Sequence, residues 1–203
     1  MHLICSDLEG VFVPEIWINV AERTGIPELK RTTRDEPDYD KLMLGRIAIL
    51  DSHGLTLADI QAAIAAMDPL PGALEFLDWA RRTSQIIVVS DTFTQFAGPL
   101  MEKLGFPTLL CNTLVVDEAN RITGYRLRQK DGKRHVAAAL KSLNYRVVAM
   151  GDSYNDVSML KEAHAGILFR PPENVAREFP QFPVTTTYEE LTAAILPALA
   201  EAP

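Results

Sequence analysis

Four short apolar, β-branched runs punctuate the chain, at residues 3–5, 86–89, 146–150 and 166–169, with amphipathic helical stretches between them. Strands written as unbroken apolar runs are buried on both faces, and their alternation with helices is the pattern of a parallel sheet covered on two sides. This restricts the chain to an α/β fold built on a doubly wound parallel sheet. The first three runs each end in a polar cluster: Ser6-Asp7-Leu8-Glu9-Gly10, Ser90-Asp91-Thr92 and Gly151-Asp152-Ser153-Tyr154-Asn155-Asp156. Open α/β sheets bind ligands in the crevice beyond the carboxyl ends of their strands, so the three clusters are expected to converge on one site.

With 203 residues, 47% of them hydrophobic, the chain can bury one full core and carry a small accessory unit besides. The accessory unit is expected between the first two runs. Residues 14–71 read as helices: Ile16, Trp17, Val20 and Ala21 share one face, Leu42, Ile47, Ile49 and Leu50 recur closely enough for another, and Thr56 can cap a third over residues 57–67. The segment is too long for a simple crossover, so the reading is an inserted helical cap at residues 14–69 and a core made of residues 1–13 and 70–203. Pro69-Leu70-Pro71-Gly72 marks the return to the core. Two β-prone runs around a polar turn at residues 114–127 predict a β-hairpin, and the alanine-rich C-terminal segment reads as a surface helix.

The net charge of −7 and the pI near 5.1 argue against nucleic acid or a membrane surface as partner, so an anionic ligand must meet local positive charge. The first residues lack the basic start and long apolar region of a signal peptide, and no stretch reaches membrane-spanning length. Cys5 and Cys111 lie in apolar segments without a partner at metal-ligand spacing and read as reduced and buried. The expected location is the cytoplasm.

Asp7 and Glu9 stand two residues apart after the first run, with Gly10 to turn the backbone; one carboxylate can attack while the other handles a proton. Asp152, Asn155 and Asp156 offer hard oxygen ligands of the kind Mg²⁺ prefers, or helix caps. Ser90 and Thr92 read as phosphate-holding hydroxyls or as caps. Lys133, at the expected start of a helix, can neutralise phosphoryl charge beside the helix N-terminus, with Lys130 and Arg134 as competitors for that role. Each signal alone has an ordinary structural reading; their order along the chain and their placement beyond strands favour phosphoryl chemistry.

The ordered series Asp-x-Glu-Gly-Val, Val-Val-Ser-Asp-Thr, Gly-Lys and Gly-Asp-Ser-Tyr-Asn-Asp resembles the haloacid dehalogenase superfamily over nearly the whole chain. The helical insertion looks like the C1 cap of its phosphoserine phosphatase branch. Residues 7–17, Thr33-Arg34-Asp35, residues 90–93, 126–130 and 151–156 are similar to the bifunctional phosphoserine phosphatase/homoserine phosphotransferase proteins, which also fits Glu9 and Val11 where aspartate and Thr or Ser are usual.

The resemblance implies that Asp7 attacks phosphorus to form an aspartyl phosphate, with Glu9 as acid and then base. It implies Mg²⁺ held by the Asp7 carboxylate, the Glu9 backbone carbonyl and the Asp152 carboxylate. Ser90, Asp91 and Lys133 would form the phosphate site, and Glu15, Arg46 and Asn155 would recognise the substrate, while Asp156 supports the metal loop. O-phosphoserine is the implied substrate, homoserine an alternative acceptor, and a homodimer the implied assembly. Rival readings are a phosphatase for another small phosphomonoester, a phospho-accepting signalling domain and a non-catalytic binding module. No P-loop, phosphocysteine loop or Gly-x-Ser-x-Gly elbow is present to support another phosphate or acyl chemistry.

Overall fold

The computed structural model describes residues 1–32, 35–36 and 38–200; Thr33 and Arg34 lie outside the described residues. Seven strands, β1 (His2–Ser6), β2 (Gln85–Phe93), β3 (Thr108–Val116), β4 (Ile122–Arg126), β5 (Arg146–Gly151), β6 (Ala165–Phe169) and β7 (Val184–Thr185), form one sheet in the order β4-β3-β2-β1-β5-β6-β7. All neighbouring pairs are parallel except β3 and β4, which form the expected hairpin. The four runs read from the sequence are β1, β2, β5 and β6. The chain leaves β1 towards β2 and β3 on one side and returns to β5, β6 and β7 on the other. The crevice created by that reversal therefore lies beyond the ends of β1, β2 and β5.

Alternation along the strands feeds two cores. Leu3 and Cys5 of β1, Val89, Val147 and Ala149 face a cluster with Val136, Ala137, Met159, Leu160 and Val175, contributed by α6 (Gly132–Ser142), α7 (Val157–Glu162) and α8 (Glu173–Glu178). Ile4, Val88, Val148 and Met150 face the opposite layer, where α4 (Ala73–Thr83), α5 (Thr94–Lys103) and α9 (Tyr188–Ala200) pack. Burying both faces is what the continuous apolar runs require. Cys5 and Cys111 are both free and buried, as read.

Between β1 and α4 lie α1 (Ile16–Thr24), a 3₁₀ turn (Pro27–Lys30), α2 (Tyr39–Ser52) and α3 (Leu57–Ala65), with no strand among the described residues. Ile16, Val20 and Ala21 are the buried stripe of α1, and Gly25, at φ 69°, ends it in the left-handed conformation. Thr56 and Asp59 close a capping box on α3. Asp38 caps α2 by accepting from the Lys41 N–H.

Besides β4, two strands lie outside the four clearest runs, one of them in the apolar segment around Cys111. Residues 108–112 pair with the edge of β2, and residues 184–185 pair with the edge of β6. The register of β2 against β3 shifts between Val89 and Phe93, so the Ser90-Asp91-Thr92 cluster sits on an irregularity that turns these side chains towards the crevice.

Candidate active site

Asp7 follows the last residue of β1, and its N–H donates to the Met150 carbonyl of β5 at 3.0 Å, which fixes the nucleophile candidate against the central strands. Lys133 enters from the first turn of α6, 3% exposed, with Nζ 2.9 Å from Asp7 Oδ1, 2.6 Å from Asp156 Oδ1 and 3.9 Å from Asp91 Oδ2. Burial alone would lower the Lys133 pKa, but the charges of Asp156 and Asp7 outweigh it and hold the ammonium well above its usual range. Lys133 is therefore a cation at any physiological pH. Lys130 lines a neighbouring cavity that Asp91, Lys133 and Asn155 also line, and Arg134 pairs with Asp131 at 2.7 Å; of the three cations, Lys133 lines the cavity at Asp7.

Asp156 is fully buried, and its Oδ2 accepts from the Asp152 and Ser153 N–H groups, at 3.0 Å each. It shapes the loop that carries Asp152. Oxygens of Asp7, Asp152 and Asp156 lie within 4.8 Å of one another. Gly10, at φ 73°, lets Asp152 close in: a Cβ on residue 10 would stand 2.5 Å from Asp152 Cγ.

This gathering has an electrostatic consequence. Burial, then the Asp156 charge, pushes the Asp7 carboxyl well above its usual range, and Lys133 only partly offsets this. Burial, then Asp156 and Glu15, pushes Asp152 up to about 7. Three acids, two of which resist ionising, beside one ammonium, form a set of hard oxygen donors that a divalent cation such as Mg²⁺ would fit in charge and chemistry.

Glu9 is half-buried and its Oε2 accepts from the Ile16 N–H at 2.8 Å. A site carboxylate thus caps α1, a role that Glu15 at the N-cap position does not perform with its own side chain. Burial, followed by the Glu15 charge, raises Glu9 to about 8, so it carries a proton near neutrality.

Ser90 Oγ, buried, accepts from the Thr92 N–H at 3.1 Å and keeps its own proton to donate. Asp91 Oδ2 accepts from Asn155 Nδ2 at 2.9 Å, joining the second cluster to the third. Asp7, Glu9, Glu15, Ser90, Asp91, Lys133, Asp152 and Asn155 all line one cavity of about 60 Å³. An adjoining cavity of about 290 Å³ shares Glu9, Glu15, Asp91 and Asn155 and adds Arg46. Arg46 is 8% exposed, a buried cation in the lining of that cavity.

Three contributors escaped the sequence reading. Tyr39 lines the larger cavity and donates to the Asp91 carbonyl at 3.4 Å. Asn112 donates to the same carbonyl at 3.2 Å and accepts from the Arg128 N–H. Trp17, read as a packing residue, also faces that cavity. Tyr39 follows the cap Asp38 and Asn112 interrupts an apolar strand, but neither position carries a motif.

A family model for haloacid dehalogenase-like hydrolases matches residues 15–161. The chain is 62% identical over 198 residues to phosphoserine phosphatase ThrH of Pseudomonas aeruginosa, covering 98% of this chain and 97% of that protein. It is 59% identical over 198 residues to a phosphoserine phosphatase of Pseudomonas syringae pv. tomato, covering 98% and 84%. Among solved structures, a phosphoserine phosphatase in apo form shares the fold with a TM-score of 0.77 at 22% identity, over 95% of this chain and 98% of that one.

Proposed function

The chain belongs to the haloacid dehalogenase-like hydrolase family, and from that premise we propose that it is a Mg²⁺-dependent phosphoserine phosphatase working through an aspartyl phosphate on Asp7. One observation carries the reading: Asp7 lies 2.9 Å from the buried Lys133 ammonium, in a cavity that Glu9 and Ser90 also line. The relatives named phosphoserine phosphatase, at 62% and 59% identity, support the choice of substrate.

A carboxylate approaching a phosphate dianion is repelled by about 4 kcal/mol at contact distance, even at an effective dielectric of 20. Lys133 and the Ser90 hydroxyl offset this by binding phosphoryl oxygens, and Mg²⁺, when bound, supplies the remaining positive charge. The Asp7 carboxylate, the Glu9 backbone carbonyl and the Asp152 carboxylate are the groups that would hold the ion. Asp91 supports the phosphate loop by fixing Asn155 and facing Lys133. An Asp7 oxygen attacks phosphorus in line, the P–O bond to serine breaks, and Glu9 gives its proton to the departing alkoxide. With pKa about 8, Glu9 holds that proton near neutrality. Left as a carboxylate, Glu9 then takes a proton from the incoming water, whose oxygen displaces Asp7 and releases inorganic phosphate. Homoserine in place of water gives phosphotransfer by the same step.

Residues 14–69 act as the cap and residues 1–13 and 70–203 as the catalytic core. Arg46 meets the substrate carboxylate and Glu15 the ammonium. The setting is cytoplasmic and the assembly a homodimer. Phosphate release from O-phosphoserine, measured with Mg²⁺ or EDTA and with or without homoserine, tests the proposal. Mg²⁺-dependent release, with O-phosphohomoserine formed when homoserine is added, is the expected result; turnover unaffected by EDTA, or none on O-phosphoserine, refutes it.

A further inference from the structure

Arg46 is held in an unusual way for a buried cation. Its Nη2 donates to the Arg31 carbonyl at 2.6 Å, and its Nη1 faces Met43 Sδ at 3.7 Å, a weak acceptor. Its Nε is buried and has no hydrogen-bond partner among the described residues. Among the described residues, no carboxylate is hydrogen-bonded to the guanidinium. Instead its carbon lies 4.5 Å from the centroid of the Trp17 ring, so the indole covers one face of the planar cation.

Trp17 is itself fixed from the other side. Its ring meets Phe96 of α5 edge to face at 5.5 Å, and Phe96 meets Phe93 of β2 in the same manner at 5.7 Å. Arg31, Met43, Arg46 and Trp17 all belong to the helical insertion, whereas Phe93 and Phe96 belong to the sheet side. The indole is thus wedged between the guanidinium and the wall of the catalytic core, and both Trp17 and Arg46 line the 290 Å³ cavity.

An arginine has a long, flexible stem and recognises a carboxylate best when its fork is already oriented. The Arg31 carbonyl fixes one end of the fork, and the ring lies against its plane. We propose that Trp17 is a positioning residue for substrate selection: by stacking on Arg46 it holds the plane of the guanidinium that lines the cavity ready for the carboxylate of the substrate. Selectivity for an amino-acid phosphomonoester over one without a carboxylate therefore depends on the indole, although the indole makes no hydrogen bond to the substrate. This rests on the reading of Arg46 given above.

The test is the ratio of kcat/KM for O-phosphoserine to that for p-nitrophenyl phosphate, which has no amino-acid carboxylate. Trp17→Leu lowers the ratio about tenfold, the equivalent of about 1.4 kcal/mol, chiefly through KM for O-phosphoserine. Trp17→Phe, which keeps a weaker aromatic face, lowers it by about threefold; should Trp17→Leu not fold, Trp17→Phe alone decides. A ratio equal to that of the wild type, or equal losses on both substrates, overturns the inference. Arg46→Ala serves as the reference. If Arg46→Ala leaves the ratio unchanged, the assignment of Arg46 falls, and Trp17 with it; if Arg46→Ala lowers the ratio and the Trp17 variants do not, only the role of Trp17 is lost.

Discussion

Replacing Gly10 by alanine adds a single methyl group, and the structure says where it must go. The residue sits at φ 73°, and the new Cβ would lie 2.5 Å from Asp152 Cγ and 2.6 Å from its Oδ2. Carbon atoms in contact prefer about 3.5–4.0 Å, so the carboxylate has to retreat by about 1 Å or more. Asp152 is one of the two carboxylates proposed to hold the ion, in a cluster whose acid oxygens lie within 4.8 Å of one another, and a misplacement of about 1 Å costs on the order of 10²-fold in rate. The left-handed backbone adds a stability cost of about 1–2 kcal/mol for alanine. For a chain of this size that is a fall in Tm of about 2–8 °C. Gly10→Ala is therefore expected to remain folded, to lose about 10²-fold in kcat/KM on O-phosphoserine, and to require more Mg²⁺ for half-maximal rate. Steady-state kinetics over a Mg²⁺ series, with a thermal melt, measure all three. A variant with activity within about threefold of the wild type and an unchanged Mg²⁺ requirement would refute the packing argument.

Asp7→Asn is expected to abolish phosphate release, by about 10³-fold or more, while the melting temperature in the absence of Mg²⁺ stays level or rises, because the amide removes one acid from a crowded cluster; measurable turnover or a markedly lower Tm contradicts this. The metal-free protein carries a second signature. Asp7, Glu9 and Asp152 are raised above the usual carboxylate range, Glu9 to about 8 and Asp152 to about 7. The folded state binds these protons more tightly than the unfolded chain, so the stabilisation is complete below the ordinary carboxylate pKa of about 4. It is lost as pH rises through about 7 to 8. In EDTA, Tm should be lower at about pH 8.5 than at about pH 6, and Mg²⁺ should shrink the difference; a Tm that rises with pH in EDTA speaks against the buried acid cluster.

The apolar runs at residues 3–5, 86–89, 146–150 and 166–169 were enough to establish a two-sided parallel sheet, because burial on both faces leaves no polar position in the strand. Asp7, Glu9, Lys133 and Asp152 were legible as candidates for a related reason: each follows a strand or opens a helix, where local sequence decides the backbone, while Ser90 ends the apolar run of β2 and lies within that strand at its irregularity. Other properties depend on distance in space. That Lys133, and not Lys130 or Arg134, touches Asp7 follows from the direction in which α6 leaves its N-terminus, since the side chain of its second residue points into the crevice. The stacking of Trp17 on Arg46 joins residues on two different helices, α1 and α2, and the Glu9 cap on α1 spans seven residues. The two-residue strand Val184–Thr185 exists because β6 offers it an edge. Sequence pattern records which face of each element is buried; which elements then meet, and so which charges share one cavity and shift each other's protons, is settled only when the chain is packed, because those interactions fall off with separation in space and not along the chain.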